Sequence, residues 1–222
     1  MVTLDPELQA LKANLIEMID LTKDQLAKCL GAIEANDAKL TKEVKKKEEQ
    51  INSLELNIDK DCENILALHN PVASDLRFVL AALKISANLE RIGDNSKSLA
   101  SYLSKNIKES NMSVLDNFNV NRMILVAISM MKDIREAILR ENVELAKKIA
   151  KQDDELDKNT KKALKISTKL IKEDPKSSAL ILKTYTVIRR LERIGDYIKN
   201  IAEEVVFHLE AKVIKHRNLG KK

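Results

Sequence analysis

Apolar residues recur at threes and fours along almost the whole chain, the spacing that lines one face of a helix. Leu8, Leu11, Leu15, Met18, Ile19, Leu26, Leu30 and Ile33 predict a first helix. It starts at Asp5-Pro6, with Asp as N-cap and Pro at the first helical position, and ends near Ala35. Asn36-Asp37 can cap a second, carried by Leu40, Val44, Ile51, Leu54, Ile58, Cys62, Ile65 and Leu66 to His69. Asn70-Pro71 repeats the cap-plus-proline signal and opens a third helix, to about Asn106. The polar block from Asn106 to Asp116 reads as a central linker. Met123, Leu125, Val126, Ile128, Met131, Ile134, Ile138 and Leu139 then carry a fourth helix. Asn142 caps a fifth, through Leu145, Ile149, Leu156, Leu164 and Ile166 to about Lys172, and Asp174-Pro175 opens a sixth that passes Val206. The expected fold is all-α, two antiparallel three-helix bundles related by pseudo-symmetry, with residues 1–110 as the first repeat and 111–222 as the second.

The repeat is visible letter by letter. Leu89-Glu90-Arg91-Ile92-Gly93-Asp94 recurs as Leu191-Glu192-Arg193-Ile194-Gly195-Asp196, 102 positions later. Each copy stacks two carboxylates one helical turn apart. Counting back from the hairpin turns near Asn70 and Asp174, Glu48 and Asn52 come to the height of Glu90 and Asp94. Asp153 and Asp157 come to the height of Glu192 and Asp196, in both cases about 30 Å from the turn. Gly93 lies beside the apolar seam of Ile85, Leu89, Ile92, Leu99 and Leu103, where a neighbouring helix can approach closely.

Composition narrows the class. The 222 residues are 44% hydrophobic and 33% charged, with four glycines, three prolines and no Trp, which fits a helical core of Leu, Ile, Val and Ala and argues against tight β-hairpins. The net charge of +5 is a mild bias. Its clearest cluster is the tail of Lys212, Lys215, His216, Arg217, Lys221 and Lys222. That tail has no interleaved aromatics and gives no nucleic-acid footprint; it reads as solvated or as a contact for acidic lipid or protein. No apolar run approaches the ~20 residues needed to cross a bilayer. The opening Thr3-Leu4-Asp5-Pro6-Glu7 lacks a signal-peptide pattern, so a cytoplasmic protein, peripheral to a membrane at most, is expected. Cys29 and Cys62 have no metal-type spacing and read as reduced, semi-buried thiols.

Carboxylate clusters without His or Cys suit hard or borderline cations such as Mg²⁺, Mn²⁺, Ca²⁺ or iron. The same acids could instead pair with Arg91, Arg193 and lysines at the surface, and spacing alone leaves both readings open. A ferritin-like site would need Glu-x-x-His pairs; here His69, His208 and His216 are scattered. No phosphate loop, nucleophile elbow or catalytic triad is present, and a binding or regulatory module rather than an enzyme is expected.

The segment His69-Asn-Pro-Val-Ala-Ser-Asp-Leu-Arg-Phe78, followed by the two copies of Leu-Glu-Arg-Ile-Gly-Asp, resembles the PhoU family of phosphate-uptake regulators over nearly the whole chain. The resemblance implies two three-helix bundles and polynuclear metal centres (iron, manganese, magnesium or zinc) held by Glu/Asp-x-x-x-Asp pairs. It also implies negative control of the phosphate-starvation response, by linking a phosphate ABC transporter to a sensor histidine kinase. The motif carries over onto Glu90 and Asp94, Glu192 and Asp196, and Asp153 and Asp157; the fourth pair is Glu48 and Asn52, where an amide replaces an acid. An accessory subunit of another transporter or channel, or a helical scaffold without metal, are the alternatives, and a homodimer is left open.

Overall fold

The computed structural model describes residues 4–213. Among them there is no strand. Seven α-helices follow in order: α1 Leu4–Glu34, α2 Thr41–His69, α3 Ala73–Asn106, α4 Glu109–Asn117, α5 Val120–Leu139, α6 Val143–Glu173 and α7 Ser178–Glu210. The six long helices of the expected pair of bundles are α1 to α3 and α5 to α7. Within each set the helices pack on one another, while α3 runs against α7 and α1 against α5 to join the sets. Helices α2, α3, α7 and α6 form a row in that order, and α1 and α5 cover one side of it. The other side of the row is left open, and there the signature helices α3 and α7 turn Arg91, Asp94 and Arg193 outward.

The helix boundaries follow local chemistry, with three departures from expectation. Asn142 caps α6 as anticipated, its side-chain oxygen accepting from the backbone amides of Glu144 and Leu145 at 3.0 and 3.1 Å. Asp37 and Asp174 each cap a single 3₁₀ turn that leads into the next long helix. Asn70, in contrast, adopts the left-handed conformation (φ 46°) and ends α2; Val72 stands at the N-cap of α3. Asp5 lies within the first turn of α1 rather than before it. The third departure is the linker, which holds the short helix α4. Leu115 and Phe118 are buried there, and Met112 and Val114 pack on the core. Phe118 is among the largest fully enclosed side chains of the protein. The chain then turns sharply at Asn119 (φ 53°) into α5.

The core is built almost wholly from Leu, Ile, Val, Met and Ala, each large side chain contributing about 1.5–3 kcal/mol on burial. Polar contacts fix how the two repeats meet. Across α3 and α7, Tyr102 Oη lies 2.6 Å from Thr184 Oγ1, Arg77 Nε donates to the His208 carbonyl at 3.2 Å, and the Arg91 guanidinium sits over the Tyr197 ring. Across α1 and α5, Arg135 Nε donates to Asp20 Oδ2 at 2.9 Å. The histidines have structural settings: His69 Nε2 meets Glu7 at 2.8 Å, and the His208 ring packs against Phe78. Both cysteines are fully buried rather than semi-buried, and burial pushes each thiol up to about 12. Of the basic tail, Lys212 pairs with Glu210; the remainder, with His216, lies outside the described residues.

Candidate metal grooves

The acids reach their places because two of them sit where apolar residues belong. On α2 the core stripe runs Val44, Glu48, Ile51, Glu55, Ile58, Cys62, Ile65, alternating fours and threes. On α6 it runs Ala146, Ile149, Asp153, Leu156, Thr160, Ala163, Ser167 in the same rhythm. A residue on such a seam faces the partner helix whatever its polarity. Glu48 is therefore 3% exposed and Asp153 2% exposed, an unusual depth for carboxylates. The partner helices α3 and α7 supply Glu90 and Asp94, and Glu192 and Asp196, along the rims of two grooves.

In the α2–α3 groove, Glu48 is the hub. Lys97 Nζ pairs with Glu48 Oε2, Asn52 Nδ2 donates to Glu48 Oε1 at 3.3 Å, and Asp94 shares a side-chain hydrogen bond with it. Burial opposes ionisation of Glu48, but Lys97, Asp94 and Asn52 together hold it below the usual range. Asp94 moves the other way, raised by burial and by the bond to and charge of Glu48. Glu90 is raised by burial and by the neighbouring charges of Asp94 and Glu55. Asn52 thus turns its amino group toward Glu48, acting here as a donor rather than as the oxygen an acid would offer.

The α6–α7 groove has Asp153 at its floor. Lys199 Nζ donates to Asp153 Oδ2 at 2.6 Å and to Asp196 Oδ1 at 3.3 Å, spanning the two helices. Burial lifts the Asp153 carboxyl to about 6 even against the pull of Lys199, and the charges of Asp196 and Asp157 add to the rise. Glu192 is raised by burial; Arg189 opposes the shift, while Asp196 and Asp157 reinforce it. Asp153 lies this close to α7 because residue 195 is glycine. A β-carbon there would come 2.5 Å from Asp153 Oδ1 and 2.5 Å from Leu156 Cδ1. At Gly93 the same atom would meet Ile51 at 3.4 Å, an ordinary contact.

The eight candidate ligands therefore divide into two groups, Glu48, Asn52, Glu90 and Asp94 in one groove and Asp153, Asp157, Glu192 and Asp196 in the other. Among the described residues, no three acids, His or Cys converge as a ready cage, since the deepest carboxylates rest on lysines. Two observations still fit an oxygen-ligated cation. Asp153 Oδ1 is buried without a hydrogen-bond partner, and the donors are hard carboxylate oxygens. Sequence reasoning missed three participants. Lys97 and Lys199 stand three residues after each signature aspartate, extending the repeat to Leu-Glu-Arg-Ile-Gly-Asp-x-x-Lys. Glu55 was legible as an acid in a heptad seam.

Comparison with known proteins agrees with this architecture. The PhoU domain model matches residues 15–103 and again 120–205. The phosphate-specific transport system accessory protein PhoU homolog of Pseudomonas putida is 32% identical over 213 residues, 96% of this chain and 83% of its own. The phosphate-specific transport system accessory protein PhoU of Escherichia coli is 26% identical, covering 95% of this chain and 86% of its own. The crystal structure of PhoU from Pseudomonas aeruginosa superposes with a TM-score of 0.87 at 30% identity, over 95% of this chain and 100% of that one. That of the phosphate transport system regulatory protein PhoU from Streptococcus pneumoniae gives 0.82 at 26% identity, over 96% and 100%. With two domain matches spanning both repeats and relatives aligned along nearly its full length, the chain belongs to the PhoU family.

Proposed function

We propose that this protein is an accessory regulator of a phosphate transport system that restrains the phosphate-starvation response by linking a phosphate ABC transporter to a sensor histidine kinase. The observation that carries the reading is the duplicated signature. It sits on equivalent helices of two similar bundles, in a chain whose relatives are named for phosphate transport. It acts through contact rather than catalysis. No helix among the described residues is long and apolar enough to cross a membrane, which suits a protein that docks on the cytoplasmic side of a transporter. The side of the four-helix row that exposes Arg91, Asp94 and Arg193 offers a surface for that contact.

The two grooves are read as metal sites. Glu90, Asp94 and Glu48, with Glu55 beside them, would hold a cation in the first; Asp153, Asp157, Glu192 and Asp196 would hold one in the second. A bound divalent or trivalent ion supplies the positive charge that lets clustered carboxylates ionise together. The second groove offers four acids of the original set against three and is expected to hold metal more tightly. The regulatory reading is tested by a phosphate-responsive reporter in a deletion strain grown with excess phosphate. Expression in the deletion, silenced again by the wild-type gene, is the expected result. A reporter that stays repressed would overturn the reading and favour an accessory role on another transporter.

A further inference from the structure

Lys97 and Lys199 hold the same place in both repeats, and each sends its ammonium into its own groove. Lys199 contacts Asp153 and Asp196 at 2.6 and 3.3 Å, and Lys97 contacts Glu48. These are the oxygens that a metal in either groove would need. The buried carboxylates cannot stand bare, because a charge out of water without a partner is strongly destabilising. A lysine meets that need in a reversible way. Its charge rides on a flexible four-carbon stem, and it can withdraw to solvent without backbone movement. Lys199 is 32% exposed and Lys97 44% exposed, so both already have a path to water.

We propose that Lys97 and Lys199 are resident counter-ions of the two grooves, displaced when a metal enters, and that they set the charge a cation must carry to bind. The inference rests on the metal reading above. In the exchange the ammonium keeps its proton, leaves Asp153 Oδ2 and Asp196 Oδ1, and swings outward as the metal takes those oxygens. A monovalent ion brings no more charge than the ammonium it would replace and none of its hydrogen bonds. A divalent or trivalent ion brings at least twice the charge. The lysines thus exclude abundant monovalent cations and keep the acidic floor neutralised when metal is scarce.

The test is calorimetric titration of the metal-stripped full chain with MnCl₂, comparing wild type, Lys199→Met and Lys158→Met. Lys158 is exposed beside Asp157 and controls for the simple loss of one positive charge. Lys199→Met is expected to tighten one Mn²⁺ site about tenfold or more, with Lys158→Met within about twofold of wild type. Wild-type binding with unchanged or weaker affinity in Lys199→Met would overturn the inference alone. No Mn²⁺ binding by any of the three chains would overturn the metal reading and the inference with it. A measurement on wild type serves if Lys199→Met fails to fold: acetylation of lysines by a small ester, read by mass spectrometry with and without Mn²⁺. Faster labelling of Lys199 in Mn²⁺, with Lys158 unchanged, supports displacement; an unchanged or slower rate contradicts it.

Discussion

Alanine at Gly195 and at Gly93 should have opposite effects, although the two glycines are identical positions of a repeated motif. Both lie inside long helices, where Ala is favoured over Gly by about 1 kcal/mol. At Gly93 the new methyl finds Ile51 at 3.4 Å and Gln25 Oε1 at 3.5 Å, contacts that need little or no rearrangement. At Gly195 it would lie 2.5 Å from both Asp153 Oδ1 and Leu156 Cδ1. Leu156 is fully enclosed, and Asp153 is held by Lys199, so neither can retreat without disturbing core or ion pair. Overpacking of this kind costs about 1–3 kcal/mol. Subtracting the helical gain, Gly195→Ala should fall between neutral and about 2 kcal/mol destabilising, and Gly93→Ala between neutral and about 1 kcal/mol stabilising. Urea unfolding followed by far-ultraviolet circular dichroism, in chelator, measures both. A Gly195→Ala protein at least as stable as Gly93→Ala, or a Gly93→Ala protein clearly weaker than wild type, would refute the difference in helix approach on which the reasoning rests.

The Asp153 carboxyl titrates near 6 in the folded protein and near 3.8 when unfolded, so between those values the folded state retains a proton that the unfolded state has lost. Its contribution to stability is therefore full below about pH 4 and is lost as the pH rises through 6, a change of about 2–3 kcal/mol. Unfolding curves from pH 4 to 8 in chelator should show this decline in wild type and lack it in Asp153→Asn; equal slopes would count against the assignment. Asn142→Ala removes a side-chain cap from two amides of α6 and should cost about 1 kcal/mol, a melting temperature lower by about 2–4 °C in a chain of this size. A melting curve superimposable on wild type would show that α6 does not depend on its cap.

The helices were legible because their apolar periods are long. The stripes of α1, α5 and α6 repeat over enough turns that one face is unmistakable, and Asn142 marks a boundary by chemistry that hardly varies. Helix α4 escapes because it is only nine residues long, with Met112, Val114 and Leu115 set among Asn, Ser and Asp and Phe118 just beyond its end. Asn70 suggests a helix start in the sequence but is a helix end in the structure, since an amide side chain serves both a cap and a left-handed stop, and only the backbone decides. At the grooves, the repeated hexapeptide located the rim acids and the hairpin count located Glu48 and Asp153. What the sequence did not disclose was the balance of charge. Spacing offers Arg91, Arg193 and lysines alike as partners of the acids; in the structure Arg91 lies over Tyr197, and the buried carboxylates are met by Lys97 and Lys199. Which cation reaches a buried acid depends on the side of the helix from which its stem departs, and that follows from three-dimensional packing.

The acidic grooves as metal sites are tested most directly by metal content. Wild type, Glu90→Ala/Asp94→Ala and Glu192→Ala/Asp196→Ala proteins would be purified without chelator and analysed by inductively coupled plasma mass spectrometry. The expected result is bound multivalent metal in wild type, a partial loss when the first groove is altered, and a larger loss when the second is altered. Equal metal content in all three proteins, or none in wild type even after incubation with iron, manganese, magnesium or zinc, would contradict the assignment of these carboxylates.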